Sequence, residues 1–241
     1  MVNQNNEPVH IAIIPDGNRR WAKKKKLAPW LGHQSGAKAV EKVARAAFEI
    51  KIPNLTFWVC SEDNLIKRPK KEIAFLLTLF KKEFVKLGES QDIHQNRARV
   101  RFLGQWRNYF PESLKKILNN IEKGTKNYSE HNLTFLMGYD GREEMTSAIR
   151  KAVDYYSGNS VQGEKIIDKD FIKSCLWTKD LPLVDLVIRT GGEPHLSAGF
   201  MMWDIADAQF YFTEKLWPDF GQEDLKEAVK NYSQRPRRFG Y

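Results

Sequence analysis

Within five residues, Asp16, Gly17, Asn18, Arg19 and Arg20 bring together a carboxylate, a glycine, an amide and two guanidinium groups. A carboxylate can hold a divalent cation, and guanidinium groups grip phosphate oxygens in pairs. A glycine between them lets a ligand approach the backbone. These types at this spacing suit a metal-bound diphosphate. The same five residues would also fit a plain strand-to-helix turn carrying solvated arginines, so the surrounding elements must decide.

The run follows Ala12, Ile13 and Ile14, a short apolar stretch of the kind that forms a buried strand ending at a sheet edge. Pro15 then removes a backbone donor, and Asp16-Gly17-Asn18 supplies turn chemistry. Further strands are expected at Leu55 to Cys60, Val100 to Leu103, Leu133 to Met137, Val184 to Ile188 and Gln209 to Phe212. Helices are expected from about Ser35 to Ile50, after Pro69, after Pro111, after Arg142, from Asp168 to Cys175 and from about Glu223. Alternating strands and helices predict α/β architecture: a single domain over 1–241 with a mostly parallel six-stranded sheet flanked by helices. Residues 1–8 read as a polar extension and 233–241 as a basic tail. Ligand crevices in such sheets lie at the carboxyl ends of the strands. That rule gathers the loops at Asp16 to Arg20, Ser61 to Asn64, Gly138 to Arg142 and Arg189 to Glu193. They hold acids, arginines, hydroxyls and an amide, but no nucleophile with a base beside it. Binding and ionising diphosphates fits this inventory better than acyl transfer. Neither glycine-rich nucleotide signature is present, so nucleotide use is not expected.

With 41% hydrophobic and 29% charged residues, the 241-residue chain has the profile of a soluble globular protein. No apolar run approaches membrane-spanning length, and Met1 to Glu7 lacks the apolar core of a secretory signal. Cys60 and Cys175 have no metal-ligand spacing and read as buried and reduced, which suggests the cytoplasm. A net charge of +9 favours anionic partners. The densest run, Lys23 to Lys26, has no interleaved aromatics and reads as a solvated helix face; nucleic acid is not an expected partner.

Six motifs in order carry a resemblance. They are His10 to Ala22 with Gly32-His33, Ser61-Glu62-Asp63-Asn64 with Lys67-Arg68-Pro69, Val184 to Glu193, Phe210-Tyr211-Phe212, Leu216 to Phe220, and Arg237 to Gly240. The chain resembles the cis-prenyltransferases, the undecaprenyl diphosphate synthase family, over nearly its whole length. The resemblance implies a homodimeric α/β fold with a hydrophobic tunnel between sheet and helices. It also implies Mg²⁺-dependent condensation of isopentenyl diphosphate with an allylic diphosphate, farnesyl or geranyl, into a Z-polyprenyl diphosphate. Such a product would serve as a cell-wall lipid carrier, handed from a cytoplasmic enzyme to the inner membrane face. Two other readings stay open: a specialised short-chain or non-elongating condensing enzyme, and a non-catalytic partner subunit.

Position by position, the resemblance makes Asp16 and Asn64 catalytic and Asp16 the Mg²⁺ ligand. It assigns substrate binding to Gly17, Asn18, Arg19, Arg20, Trp21, His33, Ser61, Glu62, Asp63, Arg68, Arg189, His195, Leu196 and Ser197. Gln209 stands where a glutamate usually supplies a second carboxylate to the metal, His195 where an arginine is usual, and Pro29 where a phosphate-binding arginine is common. Ala198-Gly199 adds a residue after Ser197. An amide is a poorer ligand for a hard cation than a carboxylate, with Asp207 and Asp204 as nearby substitutes. An imidazole is only partly charged near neutrality, unlike a guanidinium. The implied tunnel would be lined by Val43, Ala47, Leu76, Leu77, Phe80, Leu133, Phe135 and Met137.

Overall fold

The computed structural model describes residues 7–158 and 167–235. In chain order the first half gives β1 (His10–Ile14), α1 (Asn18–Lys24), α2 (Pro29–Glu49), β2 (Asn54–Cys60), α3 (Glu62–Lys67), α4 (Lys70–Gly88), α5 (Gln91–Gln95) and β3 (Ala98–Leu103). The second half gives α6 (Trp106–Tyr109), α7 (Glu112–Thr125), β4 (His131–Met137), α8 (Gly141–Gly158), α9 (Lys169–Cys175), β5 (Leu186–Arg189), β6 (Gln209–Phe212), a 3₁₀ turn (Trp217–Asp219) and α10 (Gln222–Gln234). The expected tail motif at Arg237 to Gly240 and most of the N-terminal extension lie outside the described residues.

The six strands form one sheet in the order β3-β4-β2-β1-β5-β6, and every pairing is parallel. Both faces are covered, so the strands read as apolar runs rather than clean alternation. Ile11, Ile13, Leu55, Phe57, Leu133, Phe135 and Ile188 join the large core beneath α2, α4, α7 and α10. Ala12, Ile14, Trp58, Leu136 and Val187 face the other way, onto Leu181, Phe200, Met201 and Ile205. Both cysteines are buried and free, and burial pushes the Cys60 thiol up to about 11.

Differences from the sequence reading concentrate around the first crossover. The segment after Asn18 is already helical, and α2 starts at Pro29, six residues before the expected Ser35. Proline is well suited to a first helical position because the missing N–H has no partner there anyway. Gly32, ahead of the expected helix start, is inside α2, and α1 crosses directly over it. A methyl group at Gly32 would sit 2.0 Å from the Asn18 carbonyl oxygen, and one at Gly36 would sit 2.1 Å from Asn18 Oδ1. The short helices α3, α5 and α6 are too brief to show a helical period in sequence.

This packing gives a stability test. Gly32→Ala must drive α1 and α2 apart and should lower the melting temperature by roughly 2–12 °C, given about 1–3 kcal/mol for overpacking. Gly124→Ala, inside α7 with open space around its Cβ, should instead raise it slightly. Calorimetry of both variants checks the pair; an unchanged Gly32→Ala melting point would show that the crossing is loose.

Candidate active site

β1, β2, β4 and β5 end side by side, and the loops after them meet as the sheet rule requires. Pro15 ends β1, and Gly17 takes φ 110°, a left-handed turn that lets α1 begin at once. A side chain at Gly17 would meet Leu216, so the turn has both a conformational and a packing reason for glycine. Asp16 is thereby held at the strand mouth between two arginines. Arg20 Nη2 lies 3.2 Å from Oδ1 and Arg189 Nη2 lies 3.1 Å from Oδ2. Arg20 also donates to the Gly191 carbonyl at 2.6 Å. Gly191, at φ 90°, leaves no room for a Cβ because Arg20 Nη2 would be 2.6 Å from it.

Arg189 is buried, with 5% of its side chain exposed, against 35% for Asp16. Its Nη1 donates to the His195 carbonyl and, at 3.2 Å, to Ser197 Oγ. Across the site, Glu72 ties together His33 and Arg68, each at 3.3 Å. Burial, then the Arg68 guanidinium, hold His33 below the usual histidine range, so the neutral ring is favoured. Arg68 Nη2 donates to Asn64 Oδ1 at 3.0 Å, and Ser61 Oγ caps α3 by accepting from the Asn64 N–H at 3.1 Å.

From this polar mouth a cavity of about 1650 Å³ continues between α2, α4 and the sheet, as far as Ile93 of α5. Its inner wall is apolar, with Val40, Ala44, Phe48, Phe57, Leu76 and Phe80. Of the expected lining, Leu76, Phe80, Leu133 and Phe135 are there. Val43, Ala47 and Met137 are instead fully buried in the core, and Leu77 packs against it. The helical period identifies an apolar face, but the face is wider than the cavity. On α2 the residues at 39, 43 and 47 meet the core while those at 40, 44 and 48 meet the cavity, one step around the helix.

Residues 14–240 match the family model Prenyltransf, undecaprenyl diphosphate synthase. The chain belongs to the undecaprenyl diphosphate synthase family. Tritrans,polycis-undecaprenyl-diphosphate synthase (geranylgeranyl-diphosphate specific) of Thermococcus kodakarensis is 36% identical over 239 residues, spanning 99% of this chain and 89% of the relative. An isoprenyl transferase of Thermus thermophilus is 36% identical over 236 residues, 97% of this chain and 89% of the relative. Lavandulyl diphosphate synthase from Lavandula x intermedia, solved in complex with dimethylallyl diphosphate, superposes with a TM-score of 0.88 at 31% identity, covering 99% of this chain and all of that one.

For a prenyltransferase of this family, the structure sorts the expected site residues. Asp16, Gly17, Asn18, Arg19, Arg20, His33, Ser61, Asp63, Asn64, Arg68, Arg189 and Ser197 all line the cavity. Trp21 does not; its Nε1 donates to Asp219 at 2.7 Å and its ring lies under Lys25. Glu62 turns away to accept from the Tyr109 hydroxyl. Leu196 packs on the second core, and His195 is exposed, its Nε2 3.3 Å from Ser197 Oγ. Within this chain Gln209 is not brought to Asp16. It pairs with Leu186, which pairs with Ile11, so it lies three residues before the level of Ile14, about 10 Å of strand rise. Asp204 is buried against Lys173, and Asp207 precedes β6 rather than sharing its face. Sequence reasoning missed Glu72, and it gathered Glu193 and Arg142 with the crevice loops without giving them a role. Lys23 and Lys26 are exposed, as their solvated reading expects, and both also border the cavity mouth. The helical spacing of Arg68 and Glu72 was the available signal for Glu72.

Glu72 therefore braces the site rather than binding a ligand. Glu72→Ala should cost about 1–3 kcal/mol, because it leaves the largely buried Arg68 unpaired, while Arg68→Met with Glu72→Leu should recover part of the loss. Urea midpoints for the two variants test this; equal losses would mean that the pair contributes only its packing.

Proposed function

We propose that this chain condenses isopentenyl diphosphate with an allylic diphosphate and extends the product through cis additions. The observation that carries this reading is the continuity of the cavity, which runs from a carboxylate–guanidinium mouth into an apolar barrel. Its volume, polar mouth included, exceeds the roughly 300–1,000 Å³ of ordinary small-molecule sites, and a growing hydrocarbon needs space beyond the mouth. Curated relatives named for geranylgeranyl diphosphate specificity make that primer a candidate beside farnesyl and geranyl diphosphate. The lavandulyl diphosphate synthase neighbour supports a second reading, a single condensation of short substrates. The deep cavity favours elongation.

The allylic diphosphate sits against Arg19, Arg20 and the N–H groups after Gly17, with neutral His33 offering a donor rather than a charge. The isopentenyl diphosphate sits by Arg189 and Ser197. Asp16 fits Mg²⁺, which takes one or two carboxylates and otherwise phosphate oxygens and water. Among the described residues no group of three or more potential ligands could hold a metal alone, so the cation would come with the diphosphate. When bound there, it would neutralise charge on the leaving diphosphate as the allylic carbon–oxygen bond breaks. The guanidinium groups stabilise that same charge, and the apolar barrel excludes water from the allylic cation. The isopentenyl double bond then forms the new carbon–carbon bond, and a proton leaves its C2. Asn64 is a poor base and its Oδ1 is engaged by Arg68, so its role is orientation, with diphosphate taking the proton.

Incubation with radiolabelled isopentenyl diphosphate and each allylic diphosphate, followed by chromatography, separates the readings. A ladder of products supports elongation, one condensation product supports the second reading, and no product with any primer removes both. Asp16→Ala should retain the wild-type circular dichroism and lose roughly 10²–10³ in turnover. Near-normal turnover in a folded Asp16→Ala protein would overturn the site assignment.

The chain also acts as a homodimer in this proposal, and the aromatic segment Phe210 to Phe220 leaves Phe212 exposed on the edge strand β6. Trp217 and Phe220 of that segment are buried in the chain's own core. Apolar surface is also exposed on α8 and just ahead of α9, where Ile149, Val153 and Ile167 border a shallow groove of about 410 Å³. A second copy related by a two-fold axis would cover this patch with itself. No helix among the described residues is long and apolar enough to cross a membrane, so hand-over of product would occur at a membrane surface. Sedimentation should show a dimer for the wild type and a monomer for Ile149→Glu with Val153→Glu; a dimeric double variant places the interface elsewhere.

A further inference from the structure

The arginines bordering the cavity fall into two groups. Arg20, Arg45, Arg68 and Arg189 are each paired with a carboxylate of this chain. Arg19 and Arg142 border the same cavity without an ion pair or side-chain hydrogen bond to any described residue. The two lie on different sides. Arg19 is on α1, close enough to His33 and Arg68 for its charge to be felt by both. Arg142 opens α8 and is locked to the loop that carries Ser197. The Gly141 N–H donates to the Ala198 carbonyl at 2.9 Å, and a methyl group at Gly199 would touch Arg142 Cγ at 3.4 Å.

We infer that Arg142 is a diphosphate-binding residue for the isopentenyl substrate, the counterpart on that side of Arg19 on the allylic side. This inference rests on the proposed condensation. The other candidates on that side are already engaged. Arg189 spends its two Nη groups on Asp16, the His195 carbonyl and Ser197 Oγ. His195 is exposed, does not border the cavity, and is engaged by Ser197 Oγ at 3.3 Å and Glu193 at 3.8 Å. The neighbouring carboxylate, Asp140, accepts from the Arg142 backbone N–H at 2.8 Å and forms no ion pair with the guanidinium. What remains is an unpaired planar cation that borders the cavity from a helix start hydrogen-bonded to the loop carrying Ser197. A diphosphate held by Ser197 can accept two parallel hydrogen bonds from it. The extra residue Gly199, at φ 59°, shapes the turn that presses the loop onto Gly141 and Arg142.

Steady-state kinetics of the full chain, with each substrate varied at saturating levels of the other, tests the assignment. Arg142→Gln should raise the KM for isopentenyl diphosphate by about 10- to 100-fold, the usual range for losing charge-assisted hydrogen bonds to phosphate. The allylic KM should move less than about twofold, and Arg142→Lys should recover part of the loss because it restores charge without the fork. Arg142 is exposed, so the melting temperature should stay at the wild-type value. If the wild type turns over and Arg142→Gln leaves the isopentenyl KM unchanged, or shifts only the allylic KM, the assignment is overturned while the condensation stands. If the wild type gives no product with any allylic primer, the condensation itself fails.

Discussion

Asp16 can stand between Arg20 and Arg189 only if three separate pieces of chain end at one point. β1 and β5 must be parallel neighbours in register, so that Ile14 faces Arg189 and the residues after them meet. α1 must start within one residue of the turn, so that Arg20, one helical turn past Asp16, reaches back to the carboxylate and to Gly191. The Asp16 carbonyl accepts from Trp217 N at 3.0 Å and Thr190 Oγ1 at 2.7 Å, which anchors the loop to both neighbours. Shifting any of these by one residue would separate the charges, and the buried Arg189 would lose its carboxylate. The central position of β1 in the sheet is thus tied to the position of the site.

The barrel behind this mouth has a different requirement. α2 must lie close to α1 at one end and leave a gap above the sheet at the other. Glycines at 32 and 36 permit the close approach, and the alanines further along α2 leave the space. Large aromatics on the sheet and on α4, such as Phe57, Phe80 and Phe135, then form an apolar wall rather than filling it. At the far end Arg45 reaches from α2 to Asp92 of α5 at 2.8 Å. An exposed pair of this kind contributes little stability, so the gap is held open mainly by packing.

The parallel sheet was legible because each strand is a short apolar run followed by turn residues, and the strand-end rule then located four loops without side-chain information. Asp16, Arg20, Arg189 and Ser197 come together for that reason. What stayed hidden depends on quantities that periodicity does not contain. Gln209 was placed with Asp16 by motif position, but register puts it level with Ile11. Gly32 fell ahead of the expected helix, although it lies inside α2 where another backbone passes. Glu62 and Trp21 sit in the right motifs, but their side chains find partners in Tyr109 and Asp219. A motif fixes where a backbone lies; the nearest unsatisfied donor or acceptor decides where the side chain turns.

The pairing of charges also determines what a ligand must displace. Arg20, Arg68 and Arg189 are balanced by Asp16, Glu72 and Glu193, so for them a diphosphate is an exchange of partners. Exchange yields little net affinity, because the carboxylate released must be compensated, and at Asp16 a divalent cation does this while bridging to the phosphate. Arg19 and Arg142 have no carboxylate to release, and a diphosphate bound there as proposed would gain an interaction without losing one. Affinity should therefore come chiefly from the unpaired guanidinium groups. In the proposed condensation the paired ones would respond to charge that develops during bond breaking, when a leaving diphosphate competes with Asp16 more strongly than a bound ester does. Such a division matches the demand of catalysis, in which interactions that strengthen only in the transition state accelerate the reaction.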